Sequence, residues 1–167
     1  KMTLILHQKT KIFSLIQEEF MVIALIGESC TGKSTLAGML KEKLGASVFS
    51  GKDYLRLAKG EADARQAFCT LLAAHMKPDA EPFIYVISEK EHLAFLPAGA
   101  LRILVTAELS VIQERFARRT GGKLPPPLAA MLEKKHGMFD AEPHDLLVKN
   151  GEMSTDAACA AIMERIA

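Results

Sequence analysis

Nine residues, Gly27-Glu28-Ser29-Cys30-Thr31-Gly32-Lys33-Ser34-Thr35, follow directly on the apolar run Val22-Ile23-Ala24-Leu25-Ile26. They open a segment in which Leu36, Met39, Leu40 and Leu44 recur at helical spacing, which predicts a helix over 33–44. A strand without polar alternation belongs in a sheet buried on both faces, so the order of strand, glycine-framed turn and helix fixes the start of an α/β unit. The spacing G-x-x-x-x-G-K-S is that of a phosphate-binding loop. Gly27 and Gly32 are expected to supply the positive-φ bends that turn successive N–H groups into one concavity. The helix N-terminus adds its dipole and free N–H donors to the same anion site. Lys33 then reaches the β- and γ-phosphates and the Ser34 hydroxyl is placed to ligate Mg²⁺. Glu28, Ser29, Cys30, Thr31 and Thr35 complete the nucleotide-binding positions.

Downstream, strand-like runs alternate with helical patterns: Ser47–Ser50, a helical region from Asp53 to His75, Phe83–Ile87, Leu101–Thr106, Leu109–Arg119, Leu146–Lys149 and Thr155–Ile166. Such alternation predicts a three-layer α/β fold in which a parallel five-stranded sheet is flanked by helices. Ligands of such sheets sit beyond the carboxyl ends of the strands. The residues to inspect are therefore Asp53 and Arg56 after the second strand, Ser88 and Glu89 after the third, Arg115, Arg118 and Arg119 after the fourth, and Asn150 after the fifth. The proline run Pro125-Pro126-Pro127 falls in a segment read as a short mobile lid, about 119–138.

Length and charge narrow the reading further. With 167 residues the chain fits one domain with a continuous core. Its 21 basic and 20 acidic residues leave a net charge of +1, which demands neither nucleic acid nor an anionic membrane as partner. Arg115, Arg118, Arg119, Lys123, Lys134 and Lys135 cluster in the last third, as a local anionic ligand or a solvated helix face would require. Arg118 and Arg119 also suit a helix C-terminus for dipole reasons alone. Cys30, Cys69 and Cys159 lack C-x-x-C spacing, which argues against a disulfide scaffold or zinc site and for a reducing, cytoplasmic setting. Cys30 is either a thiol activated by the loop dipoles or a small residue that fits. His75, His92, His136 and His144 show no metal-ligand spacing and read as surface or loop. No apolar run approaches the roughly eighteen residues of a membrane span. Residues 1–20 read as an N-terminal extension or appendage to a domain over 21–167.

From Met21 onward the layout resembles the nucleoside monophosphate kinase group of P-loop proteins, most closely the cytidylate kinases and more distantly adenylate and shikimate kinases. The loop GESCTGKST carries the resemblance first. The segment VFSGKDYLR is similar to the acceptor-lining stretch of these kinases, although Lys52 intervenes between Gly51 and Asp53. FLPAGALRILVTAELSVIQERFARR resembles the strand and helix that deliver lid arginines onto the transferred phosphate, and FDAEPHDLLVKNGEMSTDAACAAIMERI resembles the final strand, the Asn-containing turn beside the adenine, and the closing helix. The resemblance implies a kinase that uses ATP and Mg²⁺ and transfers the γ-phosphoryl group to a small molecule, a nucleoside monophosphate first. It implies catalytic roles for Lys33, Arg115, Arg118, Arg119 and Asp53, and acceptor contacts from Asp53, Arg56 and Glu89.

Two departures leave alternatives open. The aspartate or arginine motif expected after the third strand is replaced by Ser88-Glu89, so Glu89 either holds Mg²⁺ through water or is a surface residue. The lid segment is short and lacks paired arginines. A kinase of another small metabolite, like shikimate kinase, and an ATP-binding regulatory protein without transfer are the rival readings. A GTPase switch is disfavoured, because neither D-x-x-G nor N-K-x-D occurs and Asn150 is the only asparagine.

Overall fold

A computed structural model describes residues 22–167, so the segment 1–20 read as an extension lies outside the described residues. Strand β1 (Val22–Ile26) is buried along its whole length. It pairs in parallel with β3 (Phe83–Ile87) on one side and β4 (Leu101–Ala107) on the other. Strand β2 (Ser47–Ser50) adds to β3 and β5 (Leu146–Asn150) adds to β4, giving the all-parallel order β2-β3-β1-β4-β5. The expected five-stranded parallel sheet is therefore present. Its two continuously apolar runs, VIALI and FIYVI, are fully buried inner strands, as the lack of polar alternation requires.

The period of two along β1 sorts its side chains between two cores. Ile23 and Leu25 join Leu36 and Leu40 of α1 (Lys33–Leu44) and Ala158 and Ile162 of α5 (Thr155–Ile166). Val22, Ala24 and Ile26 face Phe68 and Leu72 of α2 (Glu61–His75), within an aromatic cluster that includes Tyr54, Phe83, Tyr85 and Phe95. A smaller apolar group, Cys30, Ala107, Ile112 and Leu132, seals the loop against α3 (Leu109–Arg119) and α4 (Pro126–Lys135).

Two segments differ from the sequence expectation. The helical region expected from Asp53 to His75 divides into a 3₁₀ segment, Gly51–Leu57, and α2. An extended Ala58 and Gly60 at φ +85° separate them, and periodicity alone does not register such a break. The proline run starts α4 inside the segment read as a lid. Two of its prolines occupy the first helical positions, where a missing N–H costs nothing.

The loop glycines also divide their work differently from expectation. Gly32 does take positive φ, at +99°, but the second left-handed residue is Cys30 at +65° rather than Gly27. Gly27 is required by space: a Cβ there would lie 2.1 Å from the Val105 carbonyl oxygen. Its N–H donates to the Ile87 carbonyl at 3.1 Å, so β3 and β4 clamp the exit of β1.

Replacing Gly27 by Ala is expected to destabilise the protein by about 1–3 kcal/mol through overpacking. Gly38, mid-helix with open space around it, should gain about 0.5–1 kcal/mol as Ala. Urea denaturation of the two variants checks both signs.

Candidate functional site

The loop from Gly27 to Ser34 leaves β1 at the centre of the sheet, where the crossovers diverge to either side. It ends on Gly32, the N-cap of α1. No side chain caps this helix, and its first turn carries no acidic residue. The first N–H groups of a helix have no intrahelical acceptor, so this end presents free donors of the kind that bind anions.

Lys33 is almost wholly buried, at 4% exposure. Its ammonium donates to the Gly27 carbonyl at 2.7 Å and to the Glu28 carbonyl. Thr31 Oγ1, 3.5 Å from that ammonium, donates to the Glu28 carbonyl as well. Burial pulls the Lys33 pKa down from 10.5 to about 8, against the attraction of Cys30 and Glu28 and with a further push from Arg119. An ammonium this poorly solvated gains strongly from an arriving polyanion.

A second cation shapes the loop from outside. Arg115 of α3 donates to the Cys30 carbonyl at 3.0 Å and to Asn150 Oδ1 at 3.2 Å. Asn150, at the end of β5, donates through Nδ2 to the Thr31 carbonyl at 2.8 Å. Arg115 and Asn150 therefore brace the loop from outside. Arg118 pairs with Glu114 one turn away on the exposed side of α3. Arg119, the last helical residue, lines a hollow of about 100 Å³ with Ser29, Cys30, Lys33, Ser34, Thr35 and Ser88. The three arginines that the sequence groups together thus have different partners, although all three line one space beside the loop.

Two larger spaces flank Asn150. One, of about 350 Å³, is bounded by Gly32, Thr35, Arg115, Arg118, Arg119, Asn150 and Thr155. The other, of about 640 Å³, meets the loop at Glu28. Its polar wall includes Glu108, His136, Asp140, His144, Lys149 and Glu152, and Leu104, Val111 and Leu147 form an apolar floor. His136 Nδ1 lies 3.2 Å from Glu28 Oε1, so Glu28 turns its side chain into this cleft while its carbonyl faces Lys33.

The expected acceptor residues are not gathered at the loop. Asp53 Oδ2 accepts the Ser50 N–H at 2.8 Å, capping the 3₁₀ segment. Arg56 stacks over the Phe49 ring, 4.8 Å from its centroid. Glu89 projects toward Glu91 and His92, and its neighbour Ser88 faces the loop instead. Alternate positions after a strand point to opposite sides, which separates the two. Thr155 and His136 carried no motif that could have found them.

For Mg²⁺, the fitting residue is Ser34. Its hydroxyl lines the same hollow as that of Ser88, and no carboxylate shares that wall. Mg²⁺ keeps waters and phosphate oxygens for most of its shell, so a single protein hydroxyl suits it.

No protein-family model matches this sequence, and neither does any curated protein. Solved structures do match. An uncharacterized protein from Eubacterium ventriosum is 19% identical with a TM-score of 0.65, covering 87% of this chain and 98% of its own. Shikimate kinase from Acinetobacter baumannii, in complex with shikimate, is 16% identical with a TM-score of 0.62, covering 92% and 96%. The YorR protein from Bacillus subtilis, in complex with phosphorylated GDP, is 20% identical with a TM-score of 0.58, covering 86% and 94%. These likenesses establish the three-layer α/β fold with its loop at the mouth of β1. No helix among the described residues is long and apolar enough to cross a membrane.

Two predictions follow from the loop. A bound polyphosphate raises the Lys33 pKa above its free value of about 8, so binding takes up a proton whenever the free lysine is neutral. Affinity should be full below that value and fall about tenfold per pH unit above it until the bound-state pKa is reached. Calorimetry at several pH values, in two buffers of different ionisation enthalpy, measures the proton. Asn150→Ala removes the acceptor of Arg115 and the donor to Thr31; loss of two bonds worth roughly 1–1.5 kcal/mol each should weaken nucleotide binding by about tenfold or more. An unchanged calorimetric affinity would contradict the brace.

Proposed function

We propose that this chain is an ATP-dependent phosphotransferase acting on a small-molecule acceptor. The observation that carries the reading is the convergence of an uncapped helix N-terminus, the buried Lys33 ammonium, Ser34 and Arg119 on one hollow. Phosphoryl transfer spreads negative charge over the moving group, and positioning plus cationic stabilisation is nearly all that a protein must supply. In this reading the loop amides and Lys33 bind the β- and γ-phosphates, and the nucleoside lies between Arg115, Asn150 and Thr155. Ser34 would hold Mg²⁺, which supplies charge neutralisation across the phosphates. Arg119 takes the role of the arginine on the transferred phosphoryl group, since Arg115 and Arg118 are engaged elsewhere. The fold shared with shikimate kinase and with YorR supports the class of reaction.

For the acceptor, the cleft that meets the loop at Glu28 offers the carboxylates of Glu28, Glu108, Asp140 and Glu152 against the single ammonium of Lys149. Carboxylates accept hydrogen bonds from hydroxyls and repel phosphate monoanions and dianions. With Arg56 stacked on Phe49 and Asp53 used as a cap, a polyhydroxylated metabolite fits this chain better than the nucleoside monophosphate that the family resemblance brings first.

An ADP-release assay should show turnover with a hydroxylated, non-nucleotide acceptor in a panel of sugars, polyols and hydroxy acids set beside CMP, UMP, AMP and GMP. Turnover with a monophosphate alone would restore the nucleotide acceptor. Tight ATP binding with no turnover on any acceptor would leave a nucleotide-binding regulatory protein. Lys33→Ala should cost about 10–150-fold in nucleotide affinity or rate. Arg119→Ala should lower kcat by about 10³-fold while changing the KM for ATP far less.

A further inference from the structure

The sequence reading took His92 for a surface or loop residue, and the structure corrects this. His92 lies in a 3₁₀ segment, Lys90–Phe95, directly after β3, and is only 1% exposed. The rings of Tyr54, Tyr85 and Phe95 surround it at centroid distances of 6.0, 6.3 and 6.1 Å. Neither of its ring nitrogens has a hydrogen-bond partner. An imidazole buried without partners loses its hydration and receives nothing for it, a cost that folded proteins seldom leave standing.

What faces it is chemically specific. Nε2 of His92 lies 3.7 Å from Glu91 Oε1. Glu89 completes a set whose donor atoms all lie within 4.8 Å of one another, the one such group of three among the described residues. A metal ion with bonds of about 2.0–2.2 Å at tetrahedral angles holds neighbouring ligand atoms about 3.3–3.6 Å apart. The His92–Glu91 pair is already near that spacing, and Glu89 reaches it by side-chain rotation, since both glutamates are exposed. Arg65, the cation whose field Glu91 feels, is held by Glu61 at 2.9 Å and leaves the carboxylates available.

We propose that His92, Glu91 and Glu89 form a binding site for a divalent transition-metal cation of the zinc class at the carboxyl end of β3. One imidazole nitrogen and two carboxylates, with water in the open position, are a donor set that zinc accepts and that Mg²⁺ and Ca²⁺, as oxygen seekers, do not favour. The aromatic rings fix the imidazole plane, and the exposed carboxylates form the entry side. The ion ties the segment after β3 to the aromatic core beside Ser88, and the proposal stands whether or not the chain transfers phosphate.

Metal-free protein titrated with Co²⁺ should take up one equivalent, with the visible band intensified and shifted from that of the aqueous ion, and Zn²⁺ should displace it. Zn²⁺ should also raise the thermal midpoint. Glu91→Gln and Glu89→Gln should each weaken uptake by about tenfold or more, and His92→Asn by about 100-fold; Cys69→Ser, which removes the exposed thiol, should leave it unchanged. No saturable uptake at one equivalent, or uptake equal to wild type in the Glu89→Gln/Glu91→Gln double variant, would overturn the site. That double variant changes exposed residues only, so it decides the question even where His92→Asn does not fold.

Discussion

A lysine ammonium pointed back at its own main chain holds this site together. The Gly27 and Glu28 carbonyls accept from Lys33, and those contacts draw the loop into a curl. The curl is then fixed from the other side by Arg115 on the Cys30 carbonyl and Asn150 on the Thr31 carbonyl. Two cations therefore neutralise the carbonyl side of the loop, while its N–H side and the first turn of α1 stay open. The result is a preformed concavity of donors, in which little has to reorganise when negative charge arrives.

This arrangement explains why the strands matter to the chemistry. Gly27 can leave β1 only between the Val105 carbonyl and the Ile87 carbonyl, so the origin of the loop is set by two neighbouring strands. Asn150 can reach Thr31 only because β5 is in register with β4 through Ala107. A Cβ at Gly32, itself at φ +99°, would lie 2.2 Å from Asn150 Nδ2 and would displace the amide that braces Thr31. The glycine pattern of the motif thus records contacts with Val105 of β4 and Asn150 of β5, which lie 78 and 118 residues further along the chain than Gly27 and Gly32.

Much of this was legible in the sequence. Buried strands declare themselves by continuous apolar runs, and all five strand positions and the helices at 33–44, 109–119 and 155–166 follow from period and punctuation. The loop was legible because its chemistry is local. Side-chain direction is what a sequence does not carry. Motif spacing identifies Arg115, Arg118 and Arg119 as a group, and all three line one space beside the loop, but it does not say that the first bonds the loop, the second pairs with Glu114 and the third also reaches the hollow. Asp53 and Arg56 lie near the expected place and face a helix end and an aromatic ring. His92 looked like a loop residue because a 3₁₀ segment of a few residues has no period long enough to betray its buried side.

The acceptor side follows from how the second face of the sheet is covered. Over β2, β3 and β1 the aromatic cluster and α2 cover it, with Asp53 capping the 3₁₀ segment and Arg56 stacked on Phe49 beside that packing. Over β4 and β5 the segment following α4 contributes Phe139 to the core, but Leu104 and Leu147 still line open space. That space is the cleft beside Glu28. Its carboxylates come from four different parts of the chain, the loop, the start of α3, the turn after α4 and the turn after β5. Charge gathered from four separate elements onto one small wall suits a ligand with donors to offer, and in the proposed reaction this is what favours a hydroxylated acceptor over a phosphorylated one.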